Sequence, residues 1–179
     1  MLFSILIANY NNGNFFKDCY DSIINQTYGN WEALIVDDHS TDDSVELIKA
    51  IIKDDARFKL YENEKNYGCG YTKRKCAELA TGETAAFLDP DDTLMPEALE
   101  LMVQGHNNNP TVSLVHSNFY FCNELLEKTS LFNRAKSVIV NDRFINLNAS
   151  VNHFVSFKKS FYRSTVGIDA SFRRAVDQD

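Results

Sequence analysis

Residues 84–92 read Thr84-Ala85-Ala86-Phe87-Leu88-Asp89-Pro90-Asp91-Asp92. A short apolar run of this length predicts one buried strand. It breaks on three carboxylates within four residues. Carboxylates crowded at one strand end repel each other and need solvent or a counter-charge. A hard divalent cation, which prefers oxygen ligands, is a natural partner. Two further apolar runs upstream end on Asn-rich or acidic clusters. Phe3–Ala8 runs into the turn cluster Asn9–Asn14, and Trp31–Val36 ends on Asp37-Asp38.

Helix-like segments separate these runs. Phe15, Phe16, Cys19, Ile23 and Ile24 recur at helical spacing, with Asn14 as the expected N-cap. Val45, Ile48, Ile51 and Ile52 define a second helix, with Asp43 and Glu46 placed as a capping box. Arg57–Tyr61 alternates as a third strand. A third helix is expected over Gly70–Thr81, stopped by Gly82. Pro96 is placed at the first position of a fourth helix, whose apolar face is Leu99, Met102 and Val103. Residues 1–110 therefore read βαβαβαβα, an α/β unit with a mainly parallel sheet flanked by helices. In such sheets ligands bind outside the carboxyl ends of the strands, where the acidic clusters fall. After Pro110 the pattern predicts a small mixed β region. Val112–Cys122 and Leu125–Phe132 form a hairpin around Asn123-Glu124. A short helix near Asp142–Leu147, a strand near Phe154–Phe157 and a short helix near Lys158–Arg163 follow.

Composition narrows the function. The 179 residues suit one domain. The net charge of −7 argues against a nucleic-acid partner and against a polybasic membrane surface. A hydrophobic content of 44%, with 13 Phe and 8 Tyr, excludes disorder. No apolar run approaches the roughly 18 residues of a membrane span. The start, Met1-Leu2-Phe3-Ser4, lacks a basic leader pattern. Cys19, Cys69, Cys76 and Cys122 show no C-x2-C spacing and read as free thiols of a reducing cytosol. Of the remaining doublets, Asp42-Asp43 favours the start of the second helix through its dipole, and Asp54-Asp55 solvates a loop.

Five elements in order carry a resemblance. They are Ser4-Ile5-Leu6-Ile7-Ala8-Asn9-Tyr10-Asn11, Ser22–Tyr28, Leu34–Asp42 with Asp37-Asp38, Asn66-Tyr67-Gly68, and Ala80–Asp92 with Asp89-Pro90-Asp91. The chain resembles the family 2 glycosyltransferases, whose fold is the Rossmann-like GT-A fold. The resemblance implies that residues 1–110 bind a nucleotide sugar and residues 111–179 are part of the acceptor side of the same domain. It implies that Asp38 binds the nucleotide base, with the backbone at Ala8 and Tyr10 lining the same pocket. Asp89 and Asp91 form the D-x-D element, and Asp91 coordinates Mn2+ or Mg2+ bridging the donor diphosphate, with UDP the favoured nucleotide. Asp177 matches the catalytic base. Lys73, with Arg74 and Lys75, is a candidate for the diphosphate. The implied acceptor is a glycan or lipid-linked saccharide, in the cytoplasm or at the inner face of a membrane. Departures are Ala8 for a proline, His39 for a glycine, Lys73-Arg74 for Arg-Asn, and Val176 for an acidic residue. His153, Phe154 and Phe157 are read either as neighbours of the acceptor or as core. Because the chain ends two residues past Asp177, the resemblance also implies that part of the acceptor side is missing.

Two rival readings follow from the same residues. Asp89-Pro90-Asp91-Asp92-Thr93 fits the D-x-D-x-T opening of haloacid-dehalogenase-like phosphatases, with Asp89 as nucleophile, Asp91 as acid/base and Mg2+ bound. A nucleotide-sugar-binding domain without turnover is the second.

Overall fold

The computed structural model describes residues 1–132, 137–140, 143–146 and 153–173. In the first part β1 (Phe3–Asn9), α1 (Phe16–Ile24), β2 (Trp31–Asp37), α2 (Ser44–Ile52), β3 (Phe58–Glu62), α3 (Cys69–Leu79), β4 (Thr84–Phe87) and α4 (Ala98–Asn108) alternate. Then follow β5 (Leu114–His116), β6 (Phe119–Cys122), β7 (Lys128–Phe132), β8 (Ser137–Val140), β9 (Arg143–Asn146), β10 (Val155–Lys158) and the short α5 (Lys159–Tyr162).

The main sheet has the order β3-β2-β1-β4-β10-β5. The pairings β3-β2, β2-β1 and β1-β4 are parallel, and β10 runs antiparallel to both β4 and β5. Successive strand side chains point to opposite faces, so β1 feeds two cores. Phe3, Ile5 and Ile7 join Phe16, Ile23, Ile48, Leu99 and Met102 under α1, α2 and α4. Leu6 joins Leu34, Val36, Cys76, Ala77 and Ala85 under α3. The chain leaves β1 toward β2 on one side and meets β4 on the other. That reversal of strand order opens a crevice at the carboxyl ends of β1, β2 and β4.

Local detail departs from the sequence reading in several places. Asn14 does not cap α1. A tight 3-10 turn over Gly13–Phe15 comes first, because the Gly13 N–H donates to Ser44 Oγ at 2.9 Å and a Cβ there would lie 2.5 Å from Ser44 Cα. The capping box of α2 is not formed, since Asp43 makes no side-chain cap and Asp42 accepts the Ser44 N–H at 3.0 Å. Helix α3 stops at Leu79 because Ala80 is extended. Gly82 instead permits a close passage, where a Cβ would meet the Leu2 carbonyl at 2.6 Å. Pro96 lies outside α4, whose N-cap is Glu97. Its carbonyl accepts the Thr27 N–H at 2.9 Å and ties the chain back to the end of α1.

The segment expected as one strand over Val112–Cys122 divides in two. Leu114–His116 joins the main sheet through β10, while β6 pairs with β7. The helix expected at Asp142–Leu147 is a strand where it is described: Arg143–Asn146 pairs antiparallel with β8. Its few residues are too short to display a helical period. The remainder of that segment lies outside the described residues.

Candidate active site

Asp37 and Asp38 end β2 with different partners. Asp37 Oδ2 accepts from Asn9 Nδ2 at 2.7 Å and Ser40 Oγ at 2.6 Å, while Oδ1 accepts the Ser40 N–H at 2.8 Å. It locks the turn after β2 to the end of β1. Asp38 is 3% exposed. Its Oδ1 accepts from Asn63 Nδ2 at 2.8 Å and the Tyr67 N–H at 2.9 Å, and its Oδ2 accepts the Gly68 N–H at 2.7 Å. A buried carboxylate is tolerated where N–H groups satisfy it. Asp38 thus fixes the loop between β3 and α3. Gly68 has φ +97°, in the left-handed region that favours glycine. Asn63 is the other end of this clamp: its Oδ1 accepts from Lys75 Nζ at 2.8 Å.

Around this clamp lies a cleft of about 380 Å³ lined by Ala8, Asn9, Tyr10, Asp38, Asn66, Gly68, Cys69, Thr72 and Arg173. Three residues singled out from sequence, Ala8, Tyr10 and Asp38, share it. Tyr10 is 48% exposed, so a large aromatic face is available at the rim. Asn66, Cys69, Thr72 and Arg173 were not singled out as cleft-lining side chains. Asn66 and Gly68 had a signal in the Asn66-Tyr67-Gly68 element. Arg173 had none, because it arrives from the far end of the chain: the Phe172 carbonyl accepts the Gly70 N–H at 2.8 Å and seats it there.

The acidic turn follows β4. Asp89 and Asp92 are partly exposed and Asp91 is exposed. The Asp92 N–H donates to the Asp89 carbonyl at 3.0 Å, closing the turn. Lys73 is buried, and its Nζ lies 3.5 Å from Asp89 Oδ1 and 5.5 Å from the centre of the Phe87 ring. Beneath the turn Cys19 Sγ approaches the Asp89 carbonyl at 3.9 Å. Burial, then the charges of Asp92, Asp91 and Asp89, push its thiol far up. Cys19 is therefore a neutral thiol buried beneath the acidic turn. No set of three or more His, Cys, Asp or Glu side chains forms a metal cage among the described residues. The donor chemistry nevertheless suits a hard cation. Two oxygen-bearing side chains, Asp89 and Asp91, face outward, and Asp89 already has an ammonium beside it. Mg2+ in particular is commonly held by one or two carboxylates, the rest of its shell being water and substrate phosphate oxygens.

The other candidates separate. Arg74 pairs with Glu78 at 3.0 Å and Lys75 with Asn63, so only Lys73 of the basic triplet reaches the acidic turn. Phe154 is core, and Phe157 packs on Phe87 with ring centres 5.9 Å apart. His153 does reach the site's edge, 3.3 Å from Asp92 Oδ2 and against the Phe119 ring. Asp177 lies outside the described residues.

Residues 4–166 match the model of glycosyl transferase family 2. The chain belongs to this family. Its likeness to solved structures shows the same fold. The S. aureus TarS fragment 1–349 with UDP superposes with a TM-score of 0.80 at 19% identity, covering 99% of this chain and 53% of that fragment. The mannosyltransferase PcManGT of Pyrobaculum calidifontis, with GDP-Man and Mn2+, gives 0.71 at 17% identity, covering 98% and 49%. Among curated relatives, the E. coli UDP-Glc:alpha-D-GlcNAc-diphosphoundecaprenol beta-1,3-glucosyltransferase WfgD is 32% identical over 122 residues, 68% of this chain and 47% of WfgD. The chain spans less than half the length of such relatives. Family 2 membership sets aside the phosphatase reading of Asp89–Thr93. The family fold is GT-A, with the crevice at the strand order reversal. Among the described residues no helix is long and apolar enough to cross a membrane.

Proposed function

We propose that this chain supplies the donor and metal site of a metal-dependent, inverting glycosyltransferase. It moves a sugar from a nucleoside diphosphate to a hydroxyl of a glycan or lipid-linked saccharide. The observation that carries the reading is the position of α3. Thr72 lines the cleft beside Asp38, and the next residue, Lys73, reaches Asp89 of the acidic turn. A nucleoside in the cleft therefore extends its diphosphate along α3 toward Asp89 and Asp91.

In this reading the backbone at Ala8 and Tyr10 and the carboxylate of Asp38 hold the base, with UDP the favoured nucleotide. Asp89 and Asp91 hold Mn2+ or Mg2+. A bound cation neutralises charge that develops on the leaving diphosphate. Lys73 offers a second positive charge at the same end of the cleft. An acceptor hydroxyl must lose its proton, and a positioned carboxylate contributes typically about 10²–10⁴-fold by taking it. Asp177 has that role. The base must be a different group from the metal ligands, since a carboxylate neutralised by a cation is a poor proton acceptor. Relatives support the components: TarS is solved with UDP, PcManGT with GDP-Man and Mn2+, and WfgD is named for a UDP-sugar donor and a lipid-linked acceptor. The proposed setting is cytoplasmic, at the inner membrane face when the acceptor carries a lipid.

The test is a thermal-shift screen of UDP-, GDP- and dTDP-sugars with and without Mn2+. A rise in Tm that needs both nucleotide and Mn2+ is expected, and Asp91→Asn abolishes the Mn2+ requirement together with the rise. No nucleotide response under any condition defeats the donor site. Release of nucleoside diphosphate, absent in Asp177→Asn, separates a transferase from a binding domain without turnover.

A further inference from the structure

A second cavity, of about 230 Å³, lies between α3 and α5. Its walls are Arg74, Ala77 and Glu78 from α3, Lys159, Tyr162 and Arg163 from α5, and the loop Thr165–Gly167. It shares no lining residue with the donor cleft. In a chain of net charge −7 this pocket gathers three cations and one carboxylate. The carboxylate is committed, since Glu78 Oε1 accepts from Arg74 Nε at 3.0 Å. Arg74 also donates to the Ile168 carbonyl at 3.3 Å, which leaves part of its fork available. Lys159 is 5% exposed, and its Nζ donates to the Ala80 carbonyl. The Arg163 guanidinium has no hydrogen bond or ion pair among the described residues, and the residue is exposed at the mouth.

Like charges brought together this way destabilise each other unless an anion joins them. Burial, then the neighbouring Arg163, lowers the affinity of Lys159 for its proton. An anion seated between these cations would reverse that penalty. The loop is shaped for close approach: Gly167 has φ +73°, and a Cβ there would lie 3.0 Å from the Tyr162 hydroxyl oxygen and 3.7 Å from Arg74 Cζ. Val166, 90% exposed, adds an apolar lip. Planar guanidinium forks and an ammonium together suit phosphate oxygens.

We propose that the groove between α3 and α5 is a second anion site, built by Arg74, Lys159 and Arg163, for a phosphate-bearing ligand distinct from the nucleotide donor. It is coupled by the chain to the donor cleft. The loop Thr165–Gly167 that forms its lip runs on into Phe172, whose carbonyl accepts the Gly70 N–H, and Arg173, which lines the cleft. A ligand that orders the first end of this segment biases the second.

The test is isothermal titration of the chain with inorganic phosphate and with pyrophosphate, alongside co-sedimentation with phosphatidylglycerol vesicles and neutral phosphatidylcholine vesicles. Saturable binding of either free anion, weakened about tenfold or more in Arg163→Ala, is expected, corresponding to one lost charge-assisted contact. The same binding should persist in Asp91→Asn, which alters the exposed acidic turn of the donor side. Phosphatidylglycerol binding that needs Arg163, without response to free anion, supports the site and assigns its ligand to a lipid headgroup. Free-anion binding without vesicle binding assigns it to a soluble phosphate. Absence of both, or binding indifferent to Arg163→Ala and to Lys159→Met, overturns the proposal. Arg163 is exposed, so its loss leaves the core intact.

Discussion

Two acidic strand ends flank β1, and they use the same residue type in opposite ways. At the end of β2, Asp38 is 3% exposed and its two oxygens accept three hydrogen bonds from Asn63, Tyr67 and Gly68. At the turn after β4, Asp91 is exposed and its carboxylate accepts no hydrogen bond from any described residue. The first carboxylate is bound into the architecture that makes a cleft wall. The second is left with its lone pairs outward. A row of aspartates in a sequence therefore carries two different messages, and N–H donors nearby decide between them.

The comparison breaks most visibly at Asp38. Asp38→Ala strands three buried donors and should cost about 3 kcal/mol, a fall in Tm of roughly 10 °C for a chain of this size. Calorimetry showing a change within error would mean that the loop between β3 and α3 does not depend on it. Asp37→Ala strands the Asn9 amide and the Ser40 N–H and should cost about 2 kcal/mol by the same measurement. A third carboxylate tests whether the buried kind is general. Glu32 sits at the other end of β2. Burial alone would raise its pKa, but donors from Thr81, Ser4 and Lys59 outweigh that and hold it below the usual 4.5. A depressed folded-state pKa gives stability that is present above the unfolded value and is lost as pH falls through the folded one. Chemical denaturation of Glu32→Gln should therefore show a stability deficit near neutrality that closes below about pH 4.5. A deficit independent of pH would contradict the assigned cause. The smallest effect on folding is expected at Asp91. Asp91→Asn should shift stability by no more than about 0.5 kcal/mol while removing the Mn2+-dependent response to nucleotide.

The parallel half of the fold was legible because its strands are apolar runs and its helices show a clear period. β1, β2 and β4 lie within a residue of the predicted ends. The turns between them were less so. Asn14, Asp43 and Pro96 are the residue types that cap or start helices, yet Asn14 and Pro96 are overruled by distant contacts, Ser44 against Gly13 and Thr27 on the Pro96 carbonyl, and Asp43 by its neighbour Asp42, which takes the Ser44 N–H. After Pro110 short strands defeat periodicity. Nothing local reveals that Leu114–His116 and Val155–Lys158 extend the main sheet. In the candidate site, the acidic residues and the Ala8-Asn9-Tyr10 turn were visible because they sit directly after strands. Asn63 and Arg173 were not, since their roles depend on contacts between separate segments of the chain, and Lys75, expected at the diphosphate, instead donates to Asn63.

The position of β1 has a consequence for how the protein is made. It precedes the other described strands in the chain, yet it is central, hydrogen-bonded to β2 on one edge and to β4 on the other. Its second edge stays bare until Thr84–Phe87 are available, and the edge of β4 waits for Val155–Lys158. Long-range parallel pairing of this kind is slow and leaves unpaired edges open to other chains. The nascent chain therefore carries an apolar strand with one edge bare until β4 has been made, and in the finished protein the amides of β1 should be the last to exchange with solvent.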